Sequence, residues 1–201
     1  MKRTHGNQQK HESTNPVQRY LIDRFHAQAV DYVRRVDPSC ILEVGCGEGY
    51  VLSEIQEAGI GAELIGVDFS ESAIESARSR VRPPAELHIG DAREVTESFT
   101  GVRPDLVMML EVLEHLDEPE AMLDDLTRLT TGHVLLSVPR EPLFRGMNLL
   151  RLKNVKGLGN DPEHVNQWSS RAFIELVSGY FEIVDTSRPF PWTMVLARLR
   201  L

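Results

Sequence analysis

Three groups of residues in this sequence could do chemistry. The first is Gly45-Cys46-Gly47-Glu48-Gly49, which lies between the apolar run Cys40-Ile41-Leu42-Glu43-Val44 and a helical stretch starting at Tyr50. Glycines there let the backbone come close to a ligand and adopt positive φ. The second is Asp68, 21 residues after Gly47, at the end of the next apolar run Glu63-Leu64-Ile65-Gly66-Val67. A carboxylate at that place can accept two hydrogen bonds from ribose hydroxyls, so the pair suggests a nucleoside-containing cofactor. The third is Glu111-Val112-Leu113-Glu114-His115, directly after the apolar run Leu106-Val107-Met108-Met109-Leu110, with a further histidine at His164. An imidazole placed there could take a substrate proton. The same side chains could equally cap the next helix and brace a pocket.

The spacing of the loop bears on the cofactor. A dinucleotide fingerprint reads G-x-G-x-x-G, whereas this loop reads G-x-G-x-G. A pyrophosphate wants backbone N–H groups and positive potential. Glu43 and Glu48 would repel it. A sulfonium carried on a molecule with an ammonium group would instead be favoured by nearby carboxylates.

The elements that must position these residues alternate. Asn15-Pro16 is a helix start, and apolar residues at Val17, Tyr20, Leu21, Phe25, Ala29, Tyr32, Val33 and Val36 keep helical spacing up to Asp37-Pro38. Strands are expected at 40–44, 63–67, 87–89, 106–110 and 133–138, with helices at 50–58, 70–81 and 119–129 between them. A last helix runs from Ser169 or Ser170 to Leu176. Strands at 181–184 and 193–197 follow without a helix between them and form an antiparallel hairpin. Strand and helix in turn mean a parallel sheet with helices on both faces, and the glycine loop then sits at a carboxyl end near the topological switch point.

At this point the sequence resembles the class I S-adenosylmethionine-dependent methyltransferases, near the ubiquinone-type methylases. LEVGCGEG at 42–49 is similar to their first motif and GVDFS at 66–70 to the second. GDA at 90–92 is similar to the adenine-contacting motif, and DLVMMLEVLEHL at 105–116 to the fourth-strand motif. The resemblance implies a Rossmann-like seven-stranded, mostly parallel α/β sheet and S-adenosylmethionine as cofactor. It implies Glu43, Gly45, Cys46 and Gly47 near the methionyl end, Asp68 and Phe69 at the ribose, Asp91 and Ala92 around adenine, and Leu110 and Glu111 under the methyl group. His115, Glu114 and His164 become the catalytic candidates. E-x-x-E-H also resembles the small-RNA 2′-O-methyltransferases, in which two Glu and two His hold a divalent metal. By that resemblance Glu111, Glu114, His115 and His164 are an alternative metal set, and a ribose hydroxyl of RNA is an alternative acceptor. Without a metal, His115 or His164 acts as base, and an oxygen acceptor, which needs proton removal more than an amine does, is slightly favoured.

Composition sets the outer bounds. The chain has 201 residues, a net charge of −8 and 41% hydrophobic residues, enough for one domain with a real core. The length leaves no room for the second domain that most dehydrogenases carry. The acidic balance argues against a protein that coats nucleic acid. No apolar run is long enough to span a membrane, and MKRTHGNQQKHESTNP has no apolar stretch of the kind a secretory signal needs. Cys40 and Cys46 read as free thiols in a reducing compartment, hence the cytoplasm. Residues 1–12 are expected to be mobile, and the helix within 13–37 to cover the pocket. Residues 140–168 read as a lid-like helical insertion. Arg140, Arg145, Arg151, Lys153 and Lys156 could meet an anionic or lipid-like small-molecule acceptor, or a membrane surface through 140–156. A regulatory protein that binds the cofactor without turnover is the reading outside enzymes.

Overall fold

A computed structural model describes residues 15–99, 101, 103–143 and 165–200. The N-terminal helix α1 (Pro16–Val36) begins where Asn15 accepts hydrogen bonds from the backbone N–H groups of Val17 (2.9 Å) and Gln18 (3.3 Å). These satisfy two of the donors that a helix start leaves open. It ends at Asp37, which takes the left-handed conformation ahead of Pro38.

The sheet follows: β1 (Cys40–Val44), α2 (Tyr50–Glu57), β2 (Glu63–Asp68), α3 (Glu71–Arg80), β3 (Glu86–Ile89), the short α4 (Val95–Ser98), β4 (Leu106–Leu110), α5 (Pro119–Leu129), β5 (His133–Pro139), α6 (Ser170–Ser178), β6 (Glu182–Ser187) and β7 (Trp192–Arg198). The strand order is β3-β2-β1-β4-β5-β7-β6. The first five strands pair in parallel, while β7 runs antiparallel to both β5 and β6. The sheet is thus seven-stranded and mostly parallel, as expected, and the C-terminal hairpin inserts β7 inside β6.

Alternation along the buried strands builds two cores. Ile41, Leu64, Leu106, Met108 and Leu135 point to the face covered by Phe25, Ala29 and Val33 of α1 and Leu52 and Ile55 of α2. Leu42, Ile65, Val107, Met109 and Leu136 point the other way, onto Leu123 and Leu126 of α5 and Phe173 and Val177 of α6. Each such fully buried side chain contributes about 1.5–3 kcal/mol. That stability holds the strand ends rigid, and the order reverses between β1 and β4. The loops after these two strands diverge there and leave a crevice.

Two details concern the insertion. Arg140 and Trp168 pair in an isolated parallel bridge, and the Glu141 N–H donates to the Trp168 carbonyl at 3.0 Å. Residues 144–164, and with them His164 and the basic residues Arg145 to Lys156, lie outside the described residues, as do residues 1–14.

Candidate active site

The loop after β1 is fastened to the end of β2. Gly45 and Cys46 donate backbone N–H bonds to the Val67 carbonyl at 2.7 and 2.9 Å. The Asp68 carboxylate accepts from the Gly47 N–H at 2.9 Å and from the Ser70 N–H at 2.8 Å. Asp68 is thus a clamp between the two loops, a role its sequence position alone does not reveal. Each carboxylate oxygen keeps a further lone pair for a ligand hydroxyl. Gly45 has φ 78°, and a Cβ built there would overlap the Cγ2 methyl of Val112. Only glycine satisfies both constraints.

A cavity opens beside this loop. Glu43, Gly45, Cys46, Glu48 and Tyr50 line one side, Leu110, Glu111 and Trp192 another, and Ile22, Phe25 and His26 of α1 form the cover. Glu43 is 3% exposed and its Oε2 has no hydrogen-bond partner. Burial, reinforced by the Asp68 charge, pushes its carboxyl up to about 8. Glu48, 4% exposed, likewise holds an Oε2 without a partner. Burial also raises the Cys46 thiol, so Cys46 packs as a neutral side chain and is no nucleophile.

One strand further out, the ends of β2 and β3 lie side by side. Phe69 follows Asp68 and is 75% exposed, and Ile89, the register partner of Asp68 on β3, is 54% exposed. Such open apolar side chains at two adjacent strand ends offer a surface for a flat ring. Asp91 caps the turn at Ala92–Glu94 through the Arg93 N–H at 3.0 Å. The Arg93 guanidinium beside it holds its carboxyl below the usual range.

The residues after β4 differ in part from the sequence reading. Glu111 lines the cavity in the left-handed conformation (φ 62°), accepts from Trp192 Nε1 at 2.5 Å, and receives the Ser137 hydroxyl at 3.4 Å. Trp192 of β7 is a wall of the same cavity. Glu114 is buried in the turn Leu113–His115, and its carbonyl accepts from the Asn166 N–H at 3.0 Å. The segment that follows His164 is thereby docked on the E-x-x-E-H turn. His115 is exposed and is not among the residues lining the cavity. Among the described residues no three His, Cys, Asp or Glu side chains form a group that could hold a metal ion. Asn15 caps α1 and Tyr20 is 57% exposed, so neither lines the cavity.

His26 is the functional candidate that spacing did not single out. It is buried within the apolar face of α1, lines the cavity, and its Nδ1 lies 2.6 Å from Glu54 Oε1 on α2. A carboxylate on one ring nitrogen orients the other. The available signal was a histidine at an inward helical position, flanked by Phe25 and Ala29.

Fold and site together describe an α/β protein with a cavity at the β1/β4 switch point. Comparison with known proteins gives the class. Residues 16–184 match the family described as the methyltransferase domain. A probable S-adenosylmethionine-dependent methyltransferase of Mycobacterium tuberculosis (strain CDC 1551 / Oshkosh) is 33% identical over 118 residues, 57% of this chain and 41% of the relative. The mitochondrial ubiquinone biosynthesis O-methyltransferase of Candida albicans is 28% identical over 186 residues, 82% of this chain and 55% of the relative. The magnesium protoporphyrin IX methyltransferase of Synechocystis PCC 6803, solved with bound S-adenosylhomocysteine, superposes with a TM-score of 0.71 at 21% identity, covering 94% of this chain and 89% of that one. The chain belongs to the methyltransferase domain family, and its fold is that of the class I S-adenosylmethionine-dependent enzymes. It spans about half the length of the two curated relatives. No described helix is long and apolar enough to cross a membrane.

Proposed function

We propose that this chain transfers the methyl group of S-adenosylmethionine to a small or medium-sized acceptor, with an oxygen nucleophile favoured. The observation that carries the reading is the buried, unpartnered Glu43 carboxylate beside the glycine loop that Asp68 clamps. An ammonium group on the cofactor's methionyl end answers that carboxylate, the glycine at 45 leaves room for backbone approach, and Asp68 keeps lone pairs for ribose hydroxyls. These residues fit the cofactor. When bound, it supplies a strongly electrophilic methyl carbon on sulfur.

The chain's own contribution is positioning and exclusion of water. Gly45 and Gly47 hold the methionyl end, Cys46 packs beside it, and Asp68 and Phe69 take the ribose and one ring face. Asp91 and Ala92 border the adenine, and Leu110 and Glu111 floor the transfer site. Phe25, Ile22 and Trp192 keep water from the reacting atoms. An oxygen acceptor must lose a proton during transfer. Glu114 and His115 remain candidates to assist from the turn after β4, as does His164, which lies outside the described residues, and the buried His26, held by Glu54, joins them from α1. The ubiquinone biosynthesis relatives support oxygen as the target atom. The test is methyl transfer from S-adenosylmethionine to a panel of phenols and amines, read as S-adenosylhomocysteine formed. Turnover on a phenol but not on amines supports the oxygen preference, and the reverse order refutes it.

A further inference from the structure

The cavity holds more buried carboxyl groups than the cofactor's ammonium can answer. Glu43 and Glu48 are both more than nine-tenths buried, both line the cavity, and each has an Oε2 without a hydrogen-bond partner. Glu111 also lines it, with its oxygens engaged by Trp192 and Ser137. No lysine or arginine is among the described residues that line it, although the Arg80 guanidinium sits over the Tyr50 ring at 3.7 Å and donates to the Glu48 backbone carbonyl from outside that lining. A buried carboxylate oxygen left without a partner is unfavourable, so such a group marks a place for a ligand. The methionyl end of the cofactor brings an ammonium, a carboxylate and a sulfonium, a net single positive charge. That answers Glu43, and with Glu111 engaged by Trp192 and Ser137 the Glu48 side chain is left over.

The remaining walls are apolar and aromatic. Ile22, Phe25, Leu110 and Trp192 line the same space, and the Phe25 and Trp192 rings stand 4.8 Å apart between centroids. Aromatic and apolar side chains that share a lining with carboxylates favour a cation carried on an apolar body. An anionic acceptor would meet like charge in a low-dielectric site.

We infer that Glu48 is the anchor for a protonated amine on the methyl acceptor, so that the acceptor is a small aromatic or apolar amine whose ammonium sits against Glu48. This rests on the methyltransferase reading and names the substrate class of the same site. The reacting atom is a separate group, and a phenolic amine satisfies both statements.

The test uses full-length protein saturated with S-adenosylhomocysteine and three probes of one shape: tyramine, 4-ethylphenol and 3-(4-hydroxyphenyl)propionate. Binding is measured by calorimetry for the wild-type chain and for Glu48→Gln. Tyramine is expected to bind at least about tenfold more tightly than 4-ethylphenol, and the propionate more weakly than either. Glu48→Gln is expected to remove the tyramine advantage while its S-adenosylhomocysteine affinity changes little. Equal binding of tyramine and 4-ethylphenol overturns the inference, as does tyramine binding that survives Glu48→Gln or is absent in the wild type. Loss of S-adenosylhomocysteine binding in Glu48→Gln assigns the carboxylate to the cofactor and also overturns it. Wild-type protein that fails to bind S-adenosylhomocysteine at all is a different failure, that of the methyltransferase reading itself.

Discussion

Binding of the cofactor is expected to expel a proton from Glu43. Its carboxyl is pushed up to about 8 by burial, with Asp68 adding like charge. At pH 7 about nine in ten ligand-free molecules therefore carry the proton there. An ammonium placed against Oε2 favours the ionised form and drives that proton off. Titration with S-adenosylhomocysteine at pH 7, repeated in buffers of different ionisation enthalpy, is expected to show release of about 0.9 proton per site. Affinity is expected to rise by about tenfold per pH unit, about 1.4 kcal/mol, between about pH 6 and 7.5. Glu43→Gln cannot release the proton, so its binding is weaker and flat over that range. Binding with no proton released in the wild type, or with equal release in Glu43→Gln, would refute the reasoning.

Four further outcomes follow from the same geometry. Without ligand, the folded state keeps the Glu43 proton where the unfolded chain has lost it, so this group's contribution to stability is full below about pH 4.5 and declines as pH rises to about 8. The decline is at most about 1.4 kcal/mol per unit, and urea unfolding of Glu43→Gln should lack it. Gly45→Ala forces a Cβ into Val112 at positive φ and is expected to cost about 1–3 kcal/mol with loss of S-adenosylhomocysteine binding. Val112→Ala relieves only the overlap, so an unfolding curve for the double variant that returns to wild type would contradict the backbone argument. Asp68→Asn leaves one of two loop N–H groups without its acceptor and should destabilise by about 1–2 kcal/mol, measurable as a lower urea midpoint. If His26 takes the acceptor proton, Glu54→Gln lowers kcat while S-adenosylhomocysteine affinity holds.

The elements that bury apolar faces were the legible part. α1, β1, β4 and α5 fall where periodicity and Pro or Asp signals put them, because burial on one or both faces dictates those patterns. Short polar pieces were not legible: α4 and the turn at Leu113–His115 carry too few residues for a period. In the site, the glycine loop and Asp68 could be read from spacing, since strand, loop and strand end are near in sequence. The Asp68 clamp on Gly47 could not, because whether a carboxylate faces backbone or ligand depends on loop conformation. Trp192 and His26 were missed for another reason. They reach the cavity from the last strand and the first helix, and Trp192 meets Glu111 across 81 residues of sequence. Only the sheet order brings those ends together.

The central claim is that the β1/β4 crevice binds S-adenosylmethionine through the Glu43–Gly47 loop. It is tested most directly by calorimetric titration of the ligand-free protein with S-adenosylhomocysteine, with NADH as the control. Binding of S-adenosylhomocysteine in the micromolar range, with none for NADH, is the predicted result. Folded protein that binds NADH, or that binds neither, would contradict it.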